Sequence, residues 1–204
     1  HGVTFDGQHV WFASGAKLNA FDPASGKMVR SIDVAAHAGT AFDGQHLFQL
    51  AEDRIQKIDP KTGRVLATIP APGGGGDSGL AWAEGTLWVG QHRGRKIHQV
   101  DPQSGAILRT IESNRVVTGV TWIDGELWHG TWEGDESDLR RVDPRTGEVL
   151  EETRDAAGSG RVGARVRWRR AVLLRRRKQW EGENRPPTQA RLRHHGRGAC
   201  ARGG

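Results

Sequence analysis

One turn is written four times in this chain. DPASGKMV begins at Asp22, DPKTGRVL at Asp59, DPQSGAIL at Asp101 and DPRTGEVL at Asp143, at spacings of 37, 42 and 42 residues. A second anchor precedes each: FDGQHVWF (5–12), FDGQHLFQ (42–49), WAEGTLWV (82–89) and WIDGELWH (122–129). Such a period points to a repeat architecture, in which each unit buries its apolar face against the next. In D-P-x-[ST]-G, proline sets φ, the aspartate carboxylate accepts amide protons inside the turn, and glycine takes the positive φ at its end. Asp6-Gly7, Asp43-Gly44 and Asp124-Gly125 supply the tolerant backbone of a tight hairpin.

Each unit therefore reads G-[VTL]-[TA]-[FW], a turn, [VL]-[WF], a polar stretch, an alternating run ending in Asp-Pro, a turn and a closing apolar run. Residues 1–152 hold no useful helical period. Four short strands per repeat of ~40 residues predict an all-β fold, a β-propeller with about four four-stranded blades. Fixed spacing argues against a β-sandwich, and unit length against a β-helix. An intact chain is expected to carry five blades, so the ring here is expected to be incomplete, with unprotected edges. The G-V-T-W type segment is expected to be innermost, lining the channel. Trp11, Trp82, Trp88, Trp122 and Trp128 recur in register and are expected to pack between blades.

The grammar stops after Leu150, and the charge changes with it. Residues 1–152 hold 15 Lys+Arg against 21 Asp+Glu, a net −6, while residues 153–204 hold 15 against 3, a net +12. The chain divides accordingly into propeller blades (1–152) and an irregular, Arg-rich basic tail (153–204). One reading of the tail is a grip for nucleic acid or acidic lipid. The other is a shifted reading frame. A permitted back-translation of Asp155–Arg169, displaced by one base, reads MPPGAGVSGLESDGG, which resumes the blade grammar. Residues from about Thr153 onward are accordingly expected to be a frameshift product or disordered, and nucleic acid is a partner only if the tail is genuine.

No run of ~18 apolar residues is present, so no membrane span is expected. His1 lies inside a repeat, so the N-terminus is expected to be truncated, and the compartment stays open between cytoplasm and periplasm. Cys200 is the single cysteine and fixes no redox setting. No metal or phosphate-loop motif occurs, and neither metal nor other cofactor is expected. Gly73–Gly76 before Asp77 lacks the lysine and helix of a phosphate loop and reads as a flexible connection. His9 and His46 read as exposed turn residues.

Propeller sites usually lie at one mouth of the channel, on loops entering the innermost strands. The candidates there are His37, Asp77, Ser78 and Thr118. Ends of second strands add Gln91, His92, His129, Trp132 and Glu133. His129-Gly130-Thr131-Trp132 is the least repeat-like stretch. Asp77 with His37 or His129 has the chemistry for acid–base work, but no residue is assigned a catalytic role. The expected partner is a small peptide or other small molecule at the channel mouth of a monomer.

The blade GVTWIDGELWHGTWEGDESDLRRVDPRTGEVLE resembles the plant and bacterial type of glutamine cyclotransferase, most specifically in LWHGTWEGD (127–135), which LFQLAED (47–53) echoes. The turns also resemble YVTN and streptogramin-lyase-like propellers. The first resemblance implies a five-bladed propeller that cyclises N-terminal glutamine to pyroglutamate and releases ammonia, with His129 and Trp132 lining the pocket. It also implies a channel glutamate in a Gly-Leu-Glu segment. Gly2-Val3-Thr4, Gly79-Leu80-Ala81 and Gly119-Val120-Thr121 stand there instead, and Gly-Leu-Glu occurs only in the shifted frame. Two functions follow: a glutaminyl-peptide cyclotransferase, inactive if that glutamate is indispensable, or a non-catalytic propeller that binds a peptide or protein partner.

Overall fold

The computed structural model describes residues 2–155. The expectations for the basic tail beyond Asp155 lie outside the described residues. All the elements are strands: β1 (Val3–Phe5), β2 (Val10–Asp22), β3 (Lys27–Ala36), β4 (Thr40–Phe42), β5 (Leu47–Ala51), β6 (Arg54–Ile58), β7 (Val65–Pro70), β8 (Asp77–Ala83), β9 (Thr86–Gln91), β10 (Lys96–Val100), β11 (Ile107–Glu112), β12 (Val116–Ile123), β13 (Glu126–Glu133), β14 (Glu136–Val142) and β15 (Val149–Asp155). They form four antiparallel meanders, ordered β1-β2-β3, β4-β5-β6-β7, β8-β9-β10-β11 and β12-β13-β14-β15. The first has three strands because β2 continues through the stretch that elsewhere breaks into two. β2 pairs with β1 through Val10–Phe12 and with β3 through Gly15–Asp22. Gly15, at φ 67°, stands where the second blade turns at Glu52, φ 58°. β15 carries its sheet to Asp155, opposite Ser137.

The repeated turn forms as its chemistry dictates. In the second copy Asp59 accepts the Lys61 N–H at 2.8 Å and the Thr62 hydroxyl at 2.7 Å. Gly63 lies at φ 77° and donates its N–H to the Asp59 carbonyl at 2.8 Å. Asp22, Asp101 and Asp143 hold their turns in the same way. The hairpins between first and second strands divide into two kinds. In the first two blades only Gly7 and Gly44 have positive φ, and the Asp6 and Asp43 carboxylates accept the amides of the following residues. In the last two, Glu84-Gly85 and Asp124-Gly125 are both left-handed, the pattern of a two-residue turn. His9 and His46 are half-buried, not exposed, because each ring packs back on its turn aspartate, at 3.7 and 3.3 Å.

Three apolar layers join the blades. Trp11, Leu18 and Ile32 meet Leu47 and Ile58; Phe48, Ile55 and Ile69 meet Leu87 and Val100; Trp88, Ile97 and Ile111 meet Leu127 and Val142. Trp82 stacks on Phe48 with centroids 5.4 Å apart, and Trp88 on Trp122 at 6.0 Å. Trp11, Trp82, Trp88 and Trp122 pack in these layers, as the register predicts, and Trp128 is buried. The glycine opening each inner strand sets how closely blades approach. A Cβ on Gly2 would strike the backbone at Gly39, one on Gly39 the backbone at Gly79, and one on Gly79 the backbone at Gly119. Inner strands thus follow one another around an axis, as in a propeller. Among the described residues the series is open at both ends: nothing lies within 4 Å of a Cβ on Gly119, and Val3 is 63% exposed.

Candidate functional site

Antiparallel meanders send the links between blades, and the turns between second and third strands, to the end opposite the Asp-Pro turns. At that end lies a cavity of about 540 Å³, lined by His37, Ala38, Gly75, Gly76, Asp77, Ser78, His92, Arg93 and Thr118. Five of the nine residues singled out from the sequence therefore converge: His37, Asp77, Ser78, His92 and Thr118. The reason is topological. His37 lies on the link into β4, Asp77 and Ser78 begin β8, Thr118 is near the start of β12, and His92 follows β9.

Asp77 is the chemical centre of this cavity. Its Oδ2 accepts the Gly73 N–H at 2.9 Å, and its Oδ1 is buried with no hydrogen-bond partner among the described residues. Burial pushes its carboxyl up to about 6, outweighing the Gly73 amide, which pulls the other way. The glycine run, expected to be a flexible connection, forms a hydrogen-bonded cradle around this carboxylate. Gly76 donates to the Gly73 carbonyl at 3.0 Å, and His92 donates to the Gly76 carbonyl at 2.9 Å. Gly74 and Gly75 sit at φ 53° and 98°, and a Cβ on Gly73 would collide with the Asp77 carboxylate. Only a glycine-rich segment wraps a carboxylate so tightly.

The other candidates differ. The Ser78 hydroxyl has one proton and two carbonyls in reach, Val117 of the fourth blade at 2.7 Å and Gly90 of its own at 3.0 Å, so donation to the nearer one stitches the third blade to the fourth. Gln91 pairs with Asp77 across β8 and β9, while its amide folds over Gly94. His129 does not line the cavity. It is 2% exposed and shares a strand face with Leu127, which packs against the third blade. Burial, and then the neighbouring Arg140 guanidinium, push its imidazole down to about 4. Trp132 is half exposed, and Glu133 holds Arg95 at 3.0 Å on the surface. Neither lines the cavity.

Sequence reasoning missed Arg93, Gly75 and Gly76, whose only signal is adjacency to His92 and Asp77. It also missed a second cavity of about 470 Å³ near the Asp-Pro turns, where Trp88, Trp122, Arg109, Arg141 and Glu126 line the seam between the third and fourth blades. Among the described residues, no group of three or more His, Cys, Asp or Glu side chains is placed to hold a metal ion. No helix among them is long and apolar enough to cross a membrane.

Four meander blades joined through their inner strands, with a cavity at one end of those strands, define a β-propeller protein. Among solved structures the chain is similar to the crystal structure of Myxococcus xanthus glutaminyl cyclase. The TM-score is 0.63 at 19% identity, over 74% of this chain and 68% of that one. It is also similar to Kuenenia stuttgartiensis hydrazine synthase, with TM-score 0.58 at 18% identity, over 76% of this chain and 48% of that one. A chain of the mitotic checkpoint complex gives TM-score 0.58 at 17% identity, over 75% and 49%. Identities this low establish shared architecture and leave activity open. No family model matches the chain, and no curated protein matches it.

Proposed function

We propose that the mouth cavity binds the N-terminal end of a small peptide, with cyclisation of N-terminal glutamine as its reaction. The observation that carries this is Asp77, a half-buried carboxyl with one oxygen unpartnered among the described residues and a proton affinity raised by burial to about 6. Such a group accepts a proton from an amine and returns it to a leaving group within one turnover. In the cyclisation the α-amine nitrogen attacks the side-chain amide carbon. A new C–N bond forms, the old one breaks, and ammonia leaves with the proton that the amine gave up. Asp77 carries that proton, with His37 and His92 at the rim of the same cavity. The M. xanthus protein of similar fold is a glutaminyl cyclase, which makes this the first chemistry to assay.

The test is to incubate the protein with a glutaminyl peptide and follow ammonia loss by mass spectrometry, beside Asp77→Asn. Pyroglutamate from the wild type and none from the variant is the expected result. The second reading, a non-catalytic peptide binder, is favoured by Gly79-Leu80-Ala81, where alanine stands in place of the glutamate of Gly-Leu-Glu. It predicts saturable peptide binding, lost in Asp77→Asn, with no ammonia released.

A further inference from the structure

The two end blades carry outer edge strands of opposite charge around the same apolar pair. β3 and β15 are the last strands of their sheets, so among the described residues each has a free edge. β3 begins Lys27-Met28-Val29-Arg30, and the equivalent stretch of the fourth blade, at the start of β15, reads Glu148-Val149-Leu150-Glu151. The four aliphatic side chains are between 44% and 52% exposed. A register shift at the head of each strand leaves Val29 and Leu150 without a residue opposite them in their own sheets. Local pairing thus gives neither residue a reason to be large and apolar. Lys27, Arg30 and Glu148 make no ion pair among the described residues, and Glu151 meets Arg141 at 3.3 Å on the surface.

The two middle blades show that this is not simply repeat grammar. Their edges keep the aliphatic pair, Val65-Leu66 and Ile107-Leu108. They lack the matched charges, reading Arg64…Ala67 and Ala106…Arg109. Arg109 is moreover already used, donating to the Pro144 and Arg145 carbonyls. Only the end blades carry two like charges flanking the pair, and they carry opposite signs.

We infer that the β3 edge of one copy of this chain docks antiparallel on the β15 edge of a second copy. In that register Lys27 faces Glu151, Met28 faces Leu150, Val29 faces Val149 and Arg30 faces Glu148. Cross-strand apolar and opposite-charge pairs are the unit of sheet stabilisation, and free edges are ready templates for it. The contact joins unlike surfaces, so it closes a pair when both ends engage and otherwise extends to longer species. This concentration-dependent association is the alternative to the monomer expected from the sequence.

The experiment is sedimentation equilibrium of the full chain across a concentration series, with four proteins. They are the wild type, Lys27→Glu with Arg30→Glu, Glu148→Lys with Glu151→Lys, and all four changes together. The substituted side chains lie on the surface, and circular dichroism confirms that each variant folds. The expected result is association of the wild type, about tenfold or more weaker in each half-reversed chain, and recovered in the full charge swap. A wild type that stays monomeric throughout overturns the inference. So does association that strengthens in Lys27→Glu with Arg30→Glu and weakens in Glu148→Lys with Glu151→Lys, because that pattern marks the basic residues beyond 155 gripping an acidic propeller.

Discussion

Asp59 closes a turn at one end of the second blade, and Asp77 opens the third blade at the other end. The first is surrounded by donors; the Thr62 hydroxyl, then the Lys61 amide, hold its carboxyl below the usual range. Asp22 and Asp101 are held down in the same way by Ser25 and Ser104. Among the described residues Asp77 has one donor and a buried oxygen without a partner, and its carboxyl is pushed up to about 6. Charge at the Asp-Pro end stabilises the fold, whereas charge at the mouth works against it. The repeated end builds the propeller. The end that departs from repetition holds a buried carboxyl that works against folding, which is what the proposed function uses.

The largest effect that would break this contrast lies in the repeat itself. Gly79→Val drives a side chain into the backbone at Val120. It should cost more than about 3 kcal/mol or prevent folding. Gly119→Val, with nothing within 4 Å among the described residues, should change stability by less than about 0.5 kcal/mol. Urea titration of the pair decides whether inner-strand glycines act through blade contact.

At the mouth, Asp77→Asn separates function from stability. Peptide affinity or turnover should fall about 30-fold or more, because a charge-assisted bond is lost. Stability at neutral pH should rise by about 1 kcal/mol, a figure reduced to allow for the solvent that still reaches this carboxyl. Loss of both activity and stability would place Asp77 with the turn aspartates.

The pH dependence sharpens the same comparison. Asp22, Asp59 and Asp101 have folded values below 3.8, so their contribution is present above 3.8 and lost as pH falls through those lowered values. Asp77 has the opposite sign. Its contribution is full below 3.8 and is lost as pH rises from 3.8 through about 6. Thermal melts should show wild-type stability falling between pH 4 and about 6 relative to Asp77→Asn, with the two curves parallel on the acid side. The smallest effect belongs to the outlying candidates. Trp132→Ala and Glu133→Gln should each change stability by less than about 0.5 kcal/mol and leave peptide affinity within about twofold.

The blades were legible because their signals are local. D-P-x-[ST]-G specifies its own hydrogen bonds within five residues, and a four-fold copy fixes the architecture. The convergence at the mouth was legible through topology, since the links into inner strands must share one end. His129 was not. Whether a second-strand residue faces the channel mouth or the neighbouring blade depends on pleat register, and Leu127 ties His129 to the buried side. The glycine cradle was misread for a related reason. Four glycines look like slack until the carboxylate that they enclose is in place.

The account rests on Asp77 being the working group of the mouth, and its titration tests this most directly. Carbon-detected NMR of the Asp77 carboxyl, with and without a glutaminyl peptide, should give a midpoint near 6 in the free protein that moves down as the peptide amine binds. A midpoint near 3.8 that ignores the peptide would contradict it.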